Sequence, residues 1–173
     1  MAYNLFVATE DPFSSFPAQF RAGAQRLTHW YVRLPRLFAV HGPVPPSLAA
    51  SVAFVLDDGQ VTVCHGEPEL HLSTTALDTM TPVYALDPNG APAVPTGRVF
   101  VRFADHVRVE DRRDALRKAG YVVTQTLSYA PHAAWVMPAE GRIADSLAGL
   151  AALQTLPDMM NVEPQLLKRR LPR

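Results

Sequence analysis

Arg98-Val-Phe-Val-Arg-Phe103 alternates apolar and polar side chains with period two, the pattern of a strand that buries one face. Val109–Ala119 follows as a predicted helix. Val109, Leu116 and Ala119 fall near one face, charges cover the rest, and Gly120 supplies the C-terminal stop. Tyr121–Leu127 is β-branched and aromatic, and Ala133–Met137 is a short apolar run, so both read as strands, with Tyr129-Ala-Pro-His132 as the turn between them. Arg142–Leu156 spaces Ile143, Leu147, Leu150, Ala151 and Gln154 at helical intervals and stops at Pro157. Met159–Glu163 adds a last short strand.

Strand, helix, strand, strand, helix, strand predicts an α+β, ferredoxin-like βαββαβ sandwich over residues 97–165: four antiparallel strands with both helices on one face. Fold alone does not assign function. The residues add more. Val99-Phe-Val-Arg-Phe103, Lys118-Ala-Gly120-Tyr-Val-Val123, Leu127-Ser-Tyr-Ala-Pro-His-Ala-Ala-Trp-Val136, Ala148-Gly-Leu-Ala-Ala-Leu-Gln-Thr-Leu-Pro157 and the ending Met159-Met-Asn-Val-Glu-Pro164 occur in that order. In these pieces the segment resembles the propeptide of subtilisin-like serine proteases, the inhibitor and folding-chaperone domain of subtilases.

The resemblance implies a non-enzymatic protein that binds a subtilisin-like protease, in cis as a precursor or in trans, and needs no cofactor or metal. It also implies that the basic tail 166–173, Leu166-Leu-Lys-Arg-Arg-Leu-Pro-Arg173, enters the protease cleft like a product and pairs by main-chain hydrogen bonds. Arg170, Leu171, Pro172 and Arg173 are the inhibitory residues so implied. Glu163 is the implied docking residue, an anion for a helix N-terminus of the partner. With Arg173 ending the sequence, the expectation is an excised propeptide or a stand-alone inhibitor. Two other classes compete with it. One is a ferredoxin-like interaction or dimerisation module; the other is a small-molecule sensor, for which no glycine-rich ligand loop is present.

Composition sets the outer bounds. Across 173 residues, 48% hydrophobic and 18% charged side chains describe an ordinary globular chain. Formal net charge is zero but unevenly placed: residues 1–97 carry 4 basic and 8 acidic groups, residues 98–173 carry 12 and 8. The asymmetry marks a boundary near Thr96-Gly97, with residues 1–96 as a β-rich module. No Lys/Arg-rich helix with interleaved aromatics points to nucleic acid. Cys64 is the one cysteine, so no intrachain disulfide forms. The first residues lack a basic region followed by a long apolar core, and no stretch has the length of a membrane span, so the expected compartment is the cytoplasm, or outside it if a leader was removed.

Eleven of sixteen prolines precede Gly97, which argues against long helices there. Tyr3–Thr9 reads as a strand, and Asp11–Phe20 as a turn-rich connector. Arg26–Val40 reads as two short strands or one edge strand bent at Pro35. Ser51–Leu56 and Gln60–Cys64 flank Asp57-Asp58-Gly59, a strong hairpin signal because glycine supplies the positive φ the turn needs. Glu69–Leu72 reads as a further strand, and Asp87–Gly97 as a linker or hairpin connection.

Three constellations deserve weighing. His65, Glu67, Glu69 and His71 share one face of an extended strand and offer metal-ligand chemistry, but Pro68 interrupts that strand and a solvated polar face explains them better. Ser128, His132 and Asp105 supply triad chemistry without a nucleophile-elbow pattern. Cys64 and His65 are neighbours that point to opposite faces of a strand, so the thiol reads as core.

Overall fold

The computed structural model describes residues 11–24, 27–68, 78–87 and 89–169. Its strands are β1 (Gln19–Ala24), β2 (Leu27–His41), β3 (Val52–Leu56), β4 (Val61–His65), β5 (Met80–Ala85), β6 (Ala93–Phe103), β7 (Tyr121–Leu127), β8 (Ala130–Pro138) and β9 (Met159–Lys168). Among the described residues short α-helices accompany them: α1 (Arg113–Lys118), α2 (Ile143–Ala148) and α3 (Leu150–Gln154). All nine strands belong to one antiparallel sheet in the order β3-β4-β2-β1-β9-β6-β8-β7, with β5 pairing β2 and β6.

This overturns the expected ferredoxin-like fold. The elements of the second half do follow as strand, helix, strand, strand, helix, strand, but their strands are not a four-stranded sheet of their own. β9 pairs β6 along one edge and β1 along the other, through Gly23↔Val162 and Ala24↔Asn161. β6 and β9 also run past the predicted ends, to Ala93 and Lys168, and pair there as Ala93↔Lys168 and Val94↔Leu167. The physical reason lies in those extensions. Val94 and Leu167 are apolar and pack into a core supplied by the first half of the chain. The helices are also shorter than expected: Val109–Arg112 is a 3-10 turn leading into α1, and Gly149 separates α2 from α3. A Cβ on Gly149 would lie 2.8 Å from Cε2 of Tyr121, so the close approach of ring and backbone excludes a side chain.

β1, β2, β5, β6 and β9 pair in a closed circuit. Straight strands of alternating direction cannot close a ring of five, so some of them must turn. β2 turns between Arg33 and Phe38, where its register with β5 shifts and Arg36 takes φ 60°. β6 turns between Pro95 and Val99, where its register with β9 shifts and Gly97 has φ 88°. At both places β2 or β6 carries extra residues relative to its partner, and such bulge-like irregularities bend the strand that holds them. β2 is thus one bent strand with three partners, not an edge strand, and Pro35 is tolerated because it sits in the bulge. The Asp57-Asp58-Gly59 turn joins β3 to β4 in a hairpin, closing at Leu56↔Val61. Tyr3–Thr9 and Glu69–Leu72 lie outside the described residues.

Three cores result. In the largest, Val99, Val101 and Phe103 of β6, fully buried, meet Leu116, Leu147, Leu150 and Leu153 of the helices, and Phe20, Tyr31 and Tyr84 extend the cluster into the first half. Fully burying each such side chain contributes about 1.5–3 kcal/mol. The other two lie among β2, β3, β4, β5 and the start of β6: one holds Ala39, Val63, Val83 and Val94, the other Phe38, Val40, Cys64 and Met80. Among the described residues no helix is long and apolar enough to cross a membrane.

Candidate functional site

Period-two alternation on β6 sends Val99, Val101 and Phe103 under the helices, so Arg98, Phe100 and Arg102 stand on the opposite face. Register extends that face across neighbouring strands. Phe100 is directly opposite Glu163 of β9 and Trp135 of β8, and Trp135 is opposite Gln125 of β7. Directly paired residues share a face and touch. One transverse row, Glu163–Phe100–Trp135–Gln125, therefore crosses four strands. A parallel row contains Met137 and Val122, which are paired, and Val122 is 40% exposed.

The row is held in place by its own contacts. Phe100 and Trp135 meet edge to face, with ring centroids 5.4 Å apart at 64°. The Arg98 guanidinium lies 4.8 Å over the indole centroid, and its Nη2 donates to Oε1 of Gln125 at 2.9 Å. Asn161 Nδ2 donates to Oε1 of Glu163 at 3.2 Å. Neither Phe100 nor Trp135 belongs to any of the three cores. An aromatic pair stacked by an arginine, half-buried and rimmed by Glu163 and Arg102, has the composition of an interface anchor.

β9 carries this face toward the end of the chain. Of the segment read as a basic tail, Leu166, Leu167 and Lys168 are the last residues of β9. Leu166 packs on the main core and Leu167 on the second. Lys168 Nζ donates to the Tyr31 hydroxyl at 3.0 Å, and the Arg169 guanidinium lies 5.6 Å over the Phe54 ring. Arg170, Leu171, Pro172 and Arg173 lie outside the described residues. Glu163 is placed on the helix-free face, exposed.

The other sequence candidates separate. His65 ends β4, exposed, with Glu67 beyond it, while Glu69 and His71 lie outside the described residues. Among the described residues no three His, Cys, Asp or Glu side chains are grouped to hold a metal ion. His132 Nε2 approaches Asp105 Oδ1 at 3.5 Å, and that carboxylate is 88% exposed. Ser128 sits in the β7–β8 turn, and among the described residues no hydrogen bond joins it to either partner. Cys64 is fully buried, burial pushes its thiol pKa up, and His65 points the other way.

Sequence reasoning did not single out Phe100 and Trp135 as site residues. The signal was available: Phe100 occupies a position whose neighbours on the same face, Arg98 and Arg102, are charged, and a bulky aromatic in a polar row is an anomaly of the pattern. No family model, curated protein or solved structure matches this chain.

Proposed function

We propose that this protein binds a subtilisin-like serine protease and inhibits it, with the helix-free sheet face as docking surface and the residues after Arg169 in the substrate cleft. The same binding would template the folding of that protease. The observation that carries the reading is the row Glu163–Phe100–Trp135–Gln125: an aromatic anchor on a sheet face that no described helix covers, with β9 running from it toward residue 169. Trp135 and Phe100 supply the buried contact, and Glu163 offers a carboxylate to a helix N-terminus of the partner. Screened tail charges add little to affinity. The reading rests on the resemblance and on this face, not on a free-standing four-stranded domain.

The test is inhibition of a panel of subtilisin-like proteases by the full chain, by a chain ending at Arg169, and by Trp135→Ala. Cutting at Arg169 matters, because a cut at 165 would remove the end of β9 and disturb two cores. The full chain is expected to inhibit. Loss of residues 170–173 should weaken it more than tenfold, and Trp135→Ala about thirtyfold, equal to the ~2 kcal/mol of a hot-spot residue. A full chain that stays intact and leaves every protease active overturns the reading. If that chain instead sediments as a dimer that Trp135→Ala splits, the face serves self-association.

A further inference from the structure

The end of β9 assigns a task to the first half of the chain. Lys168 and Tyr31 are 137 positions apart in sequence, yet their side chains are joined by a 3.0 Å hydrogen bond, and the ammonium lies 5.2 Å from the phenol centroid. Tyr31 is itself fixed by a stacked contact with Phe20, centroids 5.2 Å apart at 12°. One residue on, Arg169 lies over Phe54 of β3. Asp57 and Asp58, in the turn that follows β3, line with Leu167, Lys168 and Arg169 an open groove of about 520 Å³. Contacts from β2 and β3 thus grip Lys168 and Arg169, with the β3–β4 turn lining the groove beside them.

We infer that Tyr31 of β2 and Phe54 of β3 act as a clamp on Lys168 and Arg169, the root of the C-terminal segment, fixing where the chain beyond Arg169 begins. The clamp stands about 17 Å along β9 from Glu163, five residues at ~3.3 Å each. Docking row and tail root are therefore two points on one rigid strand. A segment whose root is already ordered loses less freedom on entering a cleft, and its effective concentration there rises once the sheet face has docked. Tyr31 and Phe54 are positioning residues in this scheme: they touch the root, not the partner. Its use in inhibition rests on the protease reading above. The clamp itself does not.

Limited trypsin digestion of the native full chain, followed by intact mass, reads the clamp directly. The variants are Tyr31→Phe and Phe54→Leu, conservative changes that leave the cleaved sequence unaltered. Cleavage after Lys168 and Arg169 is expected to rise about threefold in each and about tenfold in the double variant, in line with the weak contacts removed, while the thermal midpoint marks the fold as intact. An unchanged cleavage rate in the folded double variant overturns the clamp. Where inhibition is measurable, the double variant should weaken the full chain several-fold and leave the chain ending at Arg169 unaffected; equal weakening of both overturns the link between clamp and tail. Absence of inhibition by every chain, with cleavage still accelerated, sinks the protease reading alone.

Discussion

β4 and β6 are both valine-rich strands of one sheet, and they are buried in different ways. In β4, Val61, Thr62, Val63 and Cys64 are buried in succession, because one core covers each face. In β6, Val99, Val101 and Phe103 are fully buried while Arg98, Phe100 and Arg102 between them reach solvent. β4 spends both faces on packing; residues 98–103 of β6 spend one. The difference teaches where to look for a partner surface. A strand whose alternation survives still has a free face, and an aromatic on that face is surplus to the core.

The same kind of change on the two strands should break or uphold this comparison. Val63→Asp places a charge where both sides are packed, and is expected to cost about 4 kcal/mol or more and abolish cooperative thermal unfolding. Val122→Asp on the open face should stay within about 0.5–1 kcal/mol. Similar losses in both would mean that the open face is not open. Gly149→Ala sharpens the helix-covered side. The Tyr121 hydroxyl donates to the carbonyls of Asp145 and Ser146 at 3.1 and 3.0 Å, so the ring cannot easily yield to a new Cβ. A loss of about 1–3 kcal/mol is expected, seen as a lowered urea midpoint at unchanged slope.

The smallest effect concerns His41, whose Nε2 lies 3.2 Å from Thr81 Oγ1 between the two-sided strands. Burial lowers its pKa below the usual imidazole range. The unfolded chain therefore takes up the proton first as pH falls, so this contribution is present above about pH 6.5 and lost below it. Thermal midpoints measured from pH 7.5 to 5 should decline, and His41→Gln should flatten the decline slightly. An identical slope in the variant would remove His41 from the account.

Much of the local structure was legible, because it depends on near neighbours. Arg98–Phe103, Tyr121–Leu127 and the hairpin about Asp57-Asp58-Gly59 were readable from alternation and turn chemistry. What escaped was set by distant contacts. Nothing local in Gly23-Ala24 announces that it will pair with Asn161-Val162, and that pairing is what turns a would-be four-stranded sheet into part of a nine-stranded one. Leu166-Leu167-Lys168 read as part of a basic tail because its apolar pair lacked a visible partner; the partners are two cores and a tyrosine from far upstream. Of the candidate site, Glu163 was named from resemblance, whereas the Phe100–Trp135 pair needed the register, which alternation in single strands does not reveal.

The closed circuit of β1, β2, β5, β6 and β9 also sets a timetable. β1 and β6 are bridged by β9, so β1 lacks one of its neighbours until β9, far downstream in the sequence, is present. Such distant pairing carries a large loop-closure entropy before any contact rewards it, which slows folding and leaves strand edges exposed meanwhile. A shorter chain lacking β9 would hold two unsealed edges, at β1 and β6, and would be prone to aggregate for that reason. The sheet is thus sealed only when β9 slides between two strands that were waiting for it.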